Sequence, residues 1–406
     1  MKRFSLRQLG PGLLFAGAAI GVSHLVQSTG AGASYGFGLL WALLLIHLIK
    51  YPFFQFGPRY AAATGKSLLH AYLKLGKGVL WFYFILSLLS MFTIQAAVTV
   101  VTASLASYIF GSGLSILSWS MIVTAICTII LIVGRYQLLD KVMKFIVVTL
   151  TISTLAAVAF AFFDTEKSVE LTQIMPDDSM GIAFLIAFMG WMPAPLDISI
   201  WHSLWSLEKA KDGVITEKSA IFDFNVGYAG TIIVGICFIG LGTLVMYHSG
   251  NTFSESGTGF AKQLIDMYTS SLGQWTFWII GIAAFTTMFS TTLTTLDASP
   301  RAMAETSELL TGKKIKYNYS LWLILLIVGT CSILAWLSSE MGPLIQLATI
   351  LSFLAAPFYA YANYRAMTDP EIPENARPGK ALRILSLVSI VLLISFSIWY
   401  IFTLFS

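Results

Sequence analysis

Long apolar runs separated by short polar segments dominate the chain. Runs of about 20 residues or more, the length a helix needs to cross hydrocarbon, fall near 10–34, 37–58, 78–109, 115–134, 142–163, 179–204, 222–247, 272–298, 319–338, 342–366 and 382–405. They predict eleven membrane-spanning helices. The longest segments between them, 205–221, 248–271 and 299–318, hold at most a helical turn or two, so no soluble domain is expected. Two spans are interrupted, the first at Gly21-Val22-Ser23-His24 and the sixth at Met192-Pro193-Ala194-Pro195. Unwound backbone in lipid has no water to bond with. It persists only where protein, ion or substrate takes up the freed N–H and C=O groups.

Breaks at matching places in spans one and six divide the first ten spans into two sets of five. An odd number of spans per set forces the second set to run inverted, with a site near the midplane where the breaks meet. The expected organisation is a first repeat over 1–164, an inverted second repeat over 165–367, and a linker with an eleventh span over 368–406. Thr368 to Lys380, with Pro370, Pro373 and Pro378, reads as that linker. Identity between the halves is not visible by eye, so the repeat rests on topology and break position.

Composition agrees: 57% hydrophobic residues, 11% charged and a mean hydropathy of +0.79 make an all-α polytopic membrane protein. Basic residues concentrate on alternate loops. With the N-terminus (Lys2, Arg3, Arg7) cytoplasmic, 21 of the 24 Lys and Arg fall on that side, Lys167 and Lys262 fall outside, and Lys50 lies within span two. The expected location is the inner cell membrane, multi-pass, with an external C-terminus. The net charge of +4 then reflects topology and gives no reason to expect a nucleic-acid partner. Cys127, Cys237 and Cys331 each lie inside a span without the spacing of a metal cluster, so buried packing is expected. The basic start precedes a run without a small-residue cleavage site and reads as a retained span, not a signal peptide.

Gly10-Pro11-Gly12 opens span one, the break follows, and then come Ala31-Gly32-Ala33-Ser34-Tyr35-Gly36-Phe37 and Leu39-Leu40-Trp41. With Ala63-Thr64-Gly65-Lys66 after span two and Met192-Pro193 in span six, this pattern resembles the natural resistance-associated macrophage protein (NRAMP) family of metal transporters over spans one to ten. The resemblance implies the LeuT-like five-plus-five fold and a secondary transporter moving a small inorganic ion through the bilayer. The departures fall on the family's chemistry. Its Asp-Pro-Gly-Asn in the first break has Gly21 and His24 in place of the two ligands, and its Met-Pro-His-Asn becomes Met192-Pro193-Ala194-Pro195. Where span three of the family bears an Asp and a Glu thought to carry protons, Gln95 and Val98 stand here.

Hard divalent cations prefer carboxylate oxygen, and the breaks contain none. The substrate site expected here comprises Gly21, Val22, Ser23, His24, Gln27, Met189, Met192, Pro193 and Ala194, with Ser28 and Thr29 serving it or merely bonding between helices. The half-helix beginning near Ser23 turns a positive dipole end to the site, which favours a small oxyanion such as bicarbonate. No metal is expected; the alternative is a divalent cation held by His24 and Met192 with Gln346 as a third donor. Span eight carries Thr286, Thr287, Ser290, Thr291, Thr292, Thr294 and Thr295. In LeuT-like folds such hydroxyls join the first break in binding sodium, so Na+ is the expected coupling ion, held by Thr291, Thr292 and Thr295 with Asp197; hydroxyls bonded to their own helix would give the same composition.

Lys50, Gln95, Asp297 and Arg301 are candidates for the pathway or a gate. Lys50 either snorkels to the interface or adds positive charge to an anion site. Asp297 and Arg301, at helical spacing, suit an intracellular ion pair. No nucleotide-binding loop, His-Glu-x-x-His or nucleophile elbow occurs, so no enzyme is expected and no cofactor beyond the coupling ion. A channel or a transport-inactive sensor stays open as a further alternative, and the oligomeric state is undetermined by sequence.

Overall fold

The computed structural model describes residues 10–111, 113–164, 170–211, 213, 216–247, 254, 257–337 and 341–405. Lys2, Arg3, Arg7 and Lys167 lie outside the described residues. Among the described residues the secondary structure is all helical. Span one is split into α1 (Pro11–Ala19), a π-helical turn over Ser23–Ser28, and α2 (Thr29–Tyr35). Span two is α3 (Leu40–Thr64), followed by a short amphipathic α4 (Leu68–Leu75). Span three is α5 (Lys77–Phe110).

Spans four and five, read from the sequence as separate runs, share one uninterrupted helix, α6 (Ile116–Asp164). The residues between them contain no proline, so nothing removes a donor and the backbone continues. At 1.5 Å per residue such a helix measures about 73 Å. Hydrocarbon is ~30 Å thick, so both apolar halves lie in it only if α6 bends around its polar middle. The two ends pack on different neighbours. Val123 and Cys127 join a core with Leu323 and Leu326, whereas Ala157 and Ala161 join one with Phe238 and Leu264.

Span six is split into α7 (Ser179–Trp191) and α8 (Ile198–Ala210). Spans seven to eleven are α9 (Glu217–Leu241), α11 (Phe277–Thr311), α12 (Asn318–Leu337), α13 (Met341–Met367) and α14 (Lys380–Phe405), with α10 (Gly257–Leu272) between spans seven and eight. Eight described helices are long and apolar enough to cross a membrane. The shorter halves of spans one and six and the second half of α6 supply the remaining apolar runs. Leu48, Phe82, Ile132, Val328 and Val391 are among many exposed apolar residues, as a lipid-facing surface requires. Cys127 and Cys237 are buried as expected; Cys331 is only partly so.

α1 is held by α9. The Asp223 carboxylate accepts from the backbone N–H groups of Gly10 (3.0 Å) and Gly12 (2.7 Å), satisfying amides that the helix start leaves free. The two backbones touch, since a Cβ at Gly227 would lie 2.1 Å from Gly12 O. Small residues allow such approach in lipid, where packing replaces the hydrophobic drive between helices. We therefore expect Gly227→Val to destabilise the protein by about 3 kcal/mol, read as a lowered thermal midpoint in detergent. Gly230→Ala, one turn away and facing open space, should leave the midpoint unchanged.

Candidate functional site

The first break begins where Ile20 leaves the helical region, with ψ at 86°. Side chains then take up the carbonyls that lose their helical partners. Ser23 Oγ lies 2.8 Å from Ala19 O, and Thr291 Oγ1 of α11 lies 3.3 Å from Gly17 O and 3.4 Å from Ile20 O. The approach of α11 requires glycine at position 21, because a Cβ there would stand 2.6 Å from Thr291 Oγ1. His24 Nε2 lies 3.0 Å from Thr231 O, which can only accept, so Nε2 carries the proton. Nδ1 lies 2.8 Å from Ser23 Oγ, whose single hydrogen is contested by this nitrogen, Ala19 O and Pro193 O. Both ring nitrogens therefore have a protein atom within hydrogen-bond distance. His24 links the first break to α9.

The second break runs from Met192 to Asp197. Pro193 and Pro195 have no N–H, so the carbonyls of Met189 and Trp191 have no helical donor four residues on. Lys50 fills this gap. Its Nζ donates to Met189 O (3.0 Å), Gly190 O (2.7 Å) and Ala194 O (3.2 Å), and the residue is 0% exposed. The snorkelling reading of Lys50 is thus overturned, because a carbonyl cluster within the bundle satisfies the ammonium better than a distant interface. With all three hydrogens committed, Lys50 is also no direct donor to a pathway ligand.

The breaks meet. Ser23 Oγ lies 3.1 Å from Pro193 O, and Ser28 Oγ 4.0 Å from Met192 Sδ. His24 and Met192 share a neighbour: a Cβ at Gly235 would lie 3.6 Å from Met192 Cε and 3.7 Å from His24 Cδ2. A cavity of about 30 Å³ lies between the breaks, lined by Val22, Ser23 and Ala194 with Trp191, Thr291 and Thr295. That is room for a water or two. One turn beyond Ser23, Gln27 Oε1 is buried without a partner, as is Thr29 Oγ1. A buried polar atom left unpaired in lipid calls for an occupant or a second conformation.

The remaining candidates divide. Of the four expected sodium ligands, Thr291, Thr292, Thr295 and Asp197, only Thr291 reaches carbonyls of the first break. Thr292 Oγ1 pairs with Thr102 Oγ1 (2.8 Å); Thr295 lines the cavity but donates its hydrogen to Gln95 Oε1 (2.7 Å), so both hydroxyls are bonded to α5. Asp197 is buried with Oδ1 unpaired, within electrostatic reach of Lys50, Tyr72, Tyr83 and Tyr359. Gln346 is exposed on α13 and does not join His24 and Met192, a correction to the three-donor metal alternative. Asp297 and Arg301 pair at 2.8 Å; Tyr319 donates to the same carboxylate, and Arg301 reaches Glu208 at 3.6 Å. Among the described residues no group of three His, Cys, Asp or Glu side chains is placed to hold a metal ion.

Sequence reasoning missed three anchors: Asp223, Thr231 O, and Asn363, whose amide donates to Phe53 O and Ser199 Oγ and accepts from the Tyr72 hydroxyl. Asp223 and Asn363 are lone polar residues in apolar spans, a signal available in advance. The Thr231 carbonyl has no sequence signal.

A family model described as natural resistance-associated macrophage protein-like matches residues 12–403. The chain belongs to this family. It is a multi-pass membrane protein with the LeuT-like fold, a secondary transporter and not an enzyme. It is 35% identical over 399 residues, 97% of this chain and 91% of the relative, to the uncharacterized protein PM0681 of Pasteurella multocida (strain Pm70). A crystal structure of the Eremococcus coleocola manganese transporter, in complex with an aromatic bis-isothiourea substituted compound, superposes with a TM-score of 0.74 at 11% identity, covering 96% of this chain and 84% of that one. MHP1, a nucleobase-cation-symport-1 family transporter in a closed conformation with bromovinylhydantoin bound, superposes with a TM-score of 0.59 at 14% identity, covering 97% and 92%. At such identities these two similarities concern the fold alone.

The transporter's linker is clipped to its first half. Arg59 donates to Ala376 O and Arg377 O and pairs with Glu217 at 3.0 Å. Lys74 pairs with Asp369 (2.7 Å) and Glu371 (2.8 Å). The hydrogen bond from Lys74 holds the Asp369 carboxyl below its ordinary value, and the bonds to Asp369 and then Glu371 raise the Lys74 ammonium. A lowered carboxyl contributes stability above its unfolded value near ~4 and loses it as pH falls through the folded value; a raised ammonium contributes below ~10 and loses it as pH rises through its own. A spin label at Glu374→Cys should accordingly show constant mobility between about pH 5 and 9 and rising mobility below about pH 4. The acid rise should vanish in Lys74→Ala.

Proposed function

We propose that this transporter carries a small oxyanion, bicarbonate being the first candidate, in symport with sodium. The observation that carries the reading is the first break itself: no carboxylate, and a histidine whose two ring nitrogens lie against Thr231 O at 3.0 Å and Ser23 Oγ at 2.8 Å. A dehydrated divalent cation needs anionic oxygens or several free lone pairs. A planar oxyanion needs donors, and the start of the half-helix at Ser23, with the buried Gln27 amide one turn on, supplies them when that amide is turned by 180°. The sodium seat is the Thr291 hydroxyl with the Gly17 and Ile20 carbonyls, a set of neutral oxygens suited to a hard monovalent ion. Rocking of one repeat against the other around the breaks would expose the site alternately to each side.

Labelled bicarbonate should accumulate in proteoliposomes under an inward sodium gradient. His24→Ala should slow it about tenfold, as loss of a buried hydrogen-bonded strut implies, and Thr291→Val should remove the sodium stimulation. Unchanged uptake in His24→Ala would take the residue out of the site, and passive flux without accumulation would favour a channel.

Membership of the natural resistance-associated macrophage protein-like family, with His24 and Met192 gathered against Gly235, favours a second reading, a divalent metal ion. Isothermal titration separates the two. Micromolar manganese or cadmium binding that disappears in Met192→Ala would establish the metal and overturn the oxyanion.

A further inference from the structure

Lys50 is a cation already in place. Met189 O has no helical donor because residue 193 is proline; Gly190 and Ala194 are freed by the same unwinding. These three carbonyls converge on one nitrogen at 2.7, 3.0 and 3.2 Å, at the C-terminal end of α7, where the helix dipole is negative. Neutral carbonyl oxygens around a point at such distances are how proteins hold alkali ions and ammonium alike. Among the described residues no carboxylate lies within salt-bridge distance of Nζ; Asp197 acts on it only from farther off.

We propose that Lys50 is a tethered cation that permanently fills a cation seat in the second break and thereby determines the charge of the cargo. A free metal or alkali ion is kept off these oxygens by an ammonium that cannot leave, and the species accepted beside it is one that tolerates a positive neighbour. The seat stands on its own geometry. Only the consequence for cargo rests on the oxyanion reading.

The test removes the tether and supplies the cation from solution. Purified Lys50→Ala should show a raised thermal midpoint with ammonium, n-butylammonium or rubidium and should bind labelled rubidium, whereas the wild-type protein should do neither. Tetramethylammonium, charged but without N–H groups and too wide for the seat, should have no effect. Bicarbonate counterflow should fall about tenfold in the variant, as expected when buried carbonyls lose their donor, and n-butylammonium should restore it. Lys50→Met, which keeps the stem volume without the charge, guards against a cavity artefact and should respond to rubidium in the same way. If both variants aggregate, n-butylammonium in the extraction buffer should return monodisperse protein; failure to do so overturns the seat. Absence of any cation effect in folded Lys50→Ala and Lys50→Met, with wild-type bicarbonate exchange intact, overturns the seat and leaves the cargo reading standing. Rubidium binding by the variants with no bicarbonate exchange in the wild type does the reverse.

Discussion

Two interruptions of helical hydrogen bonding inside an apolar bundle are the constraint from which the rest of this structure follows. Each opens carbonyls that lipid cannot serve, and each is closed by side chains from elsewhere in the chain. At the first break the partners are hydroxyls, Ser23 from within and Thr291 from α11. At the second the partner is the Lys50 ammonium from α3. The difference in chemistry matters. A hydroxyl can turn away and yield its carbonyls to an ion, whereas an ammonium holding three carbonyls in hydrocarbon has nowhere better to go. The first break is therefore the adaptable one and the second the fixed one.

The breaks are also joined to each other and to different helices. Ser23 Oγ lies within reach of Ala19 O, Pro193 O and His24 Nδ1 with a single hydrogen to give, so a change of partner at Ser23 would be felt in both repeats. His24 connects the same point to α9, and Thr291 connects it to α11, which packs along α5. Motion of α11 relative to α1 must alter the Thr291 contacts first. That places the proposed sodium seat where an ion can bias the arrangement of the bundle, because an ion binds better in whichever state brings those oxygens together.

Much of this was legible in the sequence, and the limits have physical causes. Apolar run lengths gave the spans, and glycine and proline in runs that otherwise favour helix gave both breaks. Family resemblance covered the motifs around them and the fold that the similar structures share. What could not be read was the identity of each partner. Lys50 is 139 residues from Met189 and 144 from Ala194, so its role depends on how α3 packs beside α7, which no local pattern encodes. The hydroxyls of span eight show the same limit. Their composition suggested one ion site, yet Thr292 is bonded to α5, and Thr295, on the same face as Thr291, gives its hydrogen to Gln95 of α5. Gln346 was placed with His24 by its span and separated from it by its face. The shared helix α6 escaped because charges read as a loop do not by themselves stop a helix without proline.

The balance of charge around the breaks ties these points to the cargo. Lys50 and Asp197 are the buried ionisable pair of the second break, and when both are charged they leave it neutral before any cargo enters. His24 lies between Ser23 and Thr231 and supplies no carboxylate to offset a cation. A divalent metal would then bring two uncompensated positive charges. Its loss of hydration would be offset by no carboxylate of the first break, and the Asp197 carboxylate of the second is already balanced by Lys50. A sodium ion held at Thr291 with a singly charged anion beside the half-helix sums to zero. On the proposed reading, a bundle with one fixed internal cation and no spare carboxylate loads most easily with an ion pair, which links the coupling ion and the oxyanion to the same electrostatic requirement.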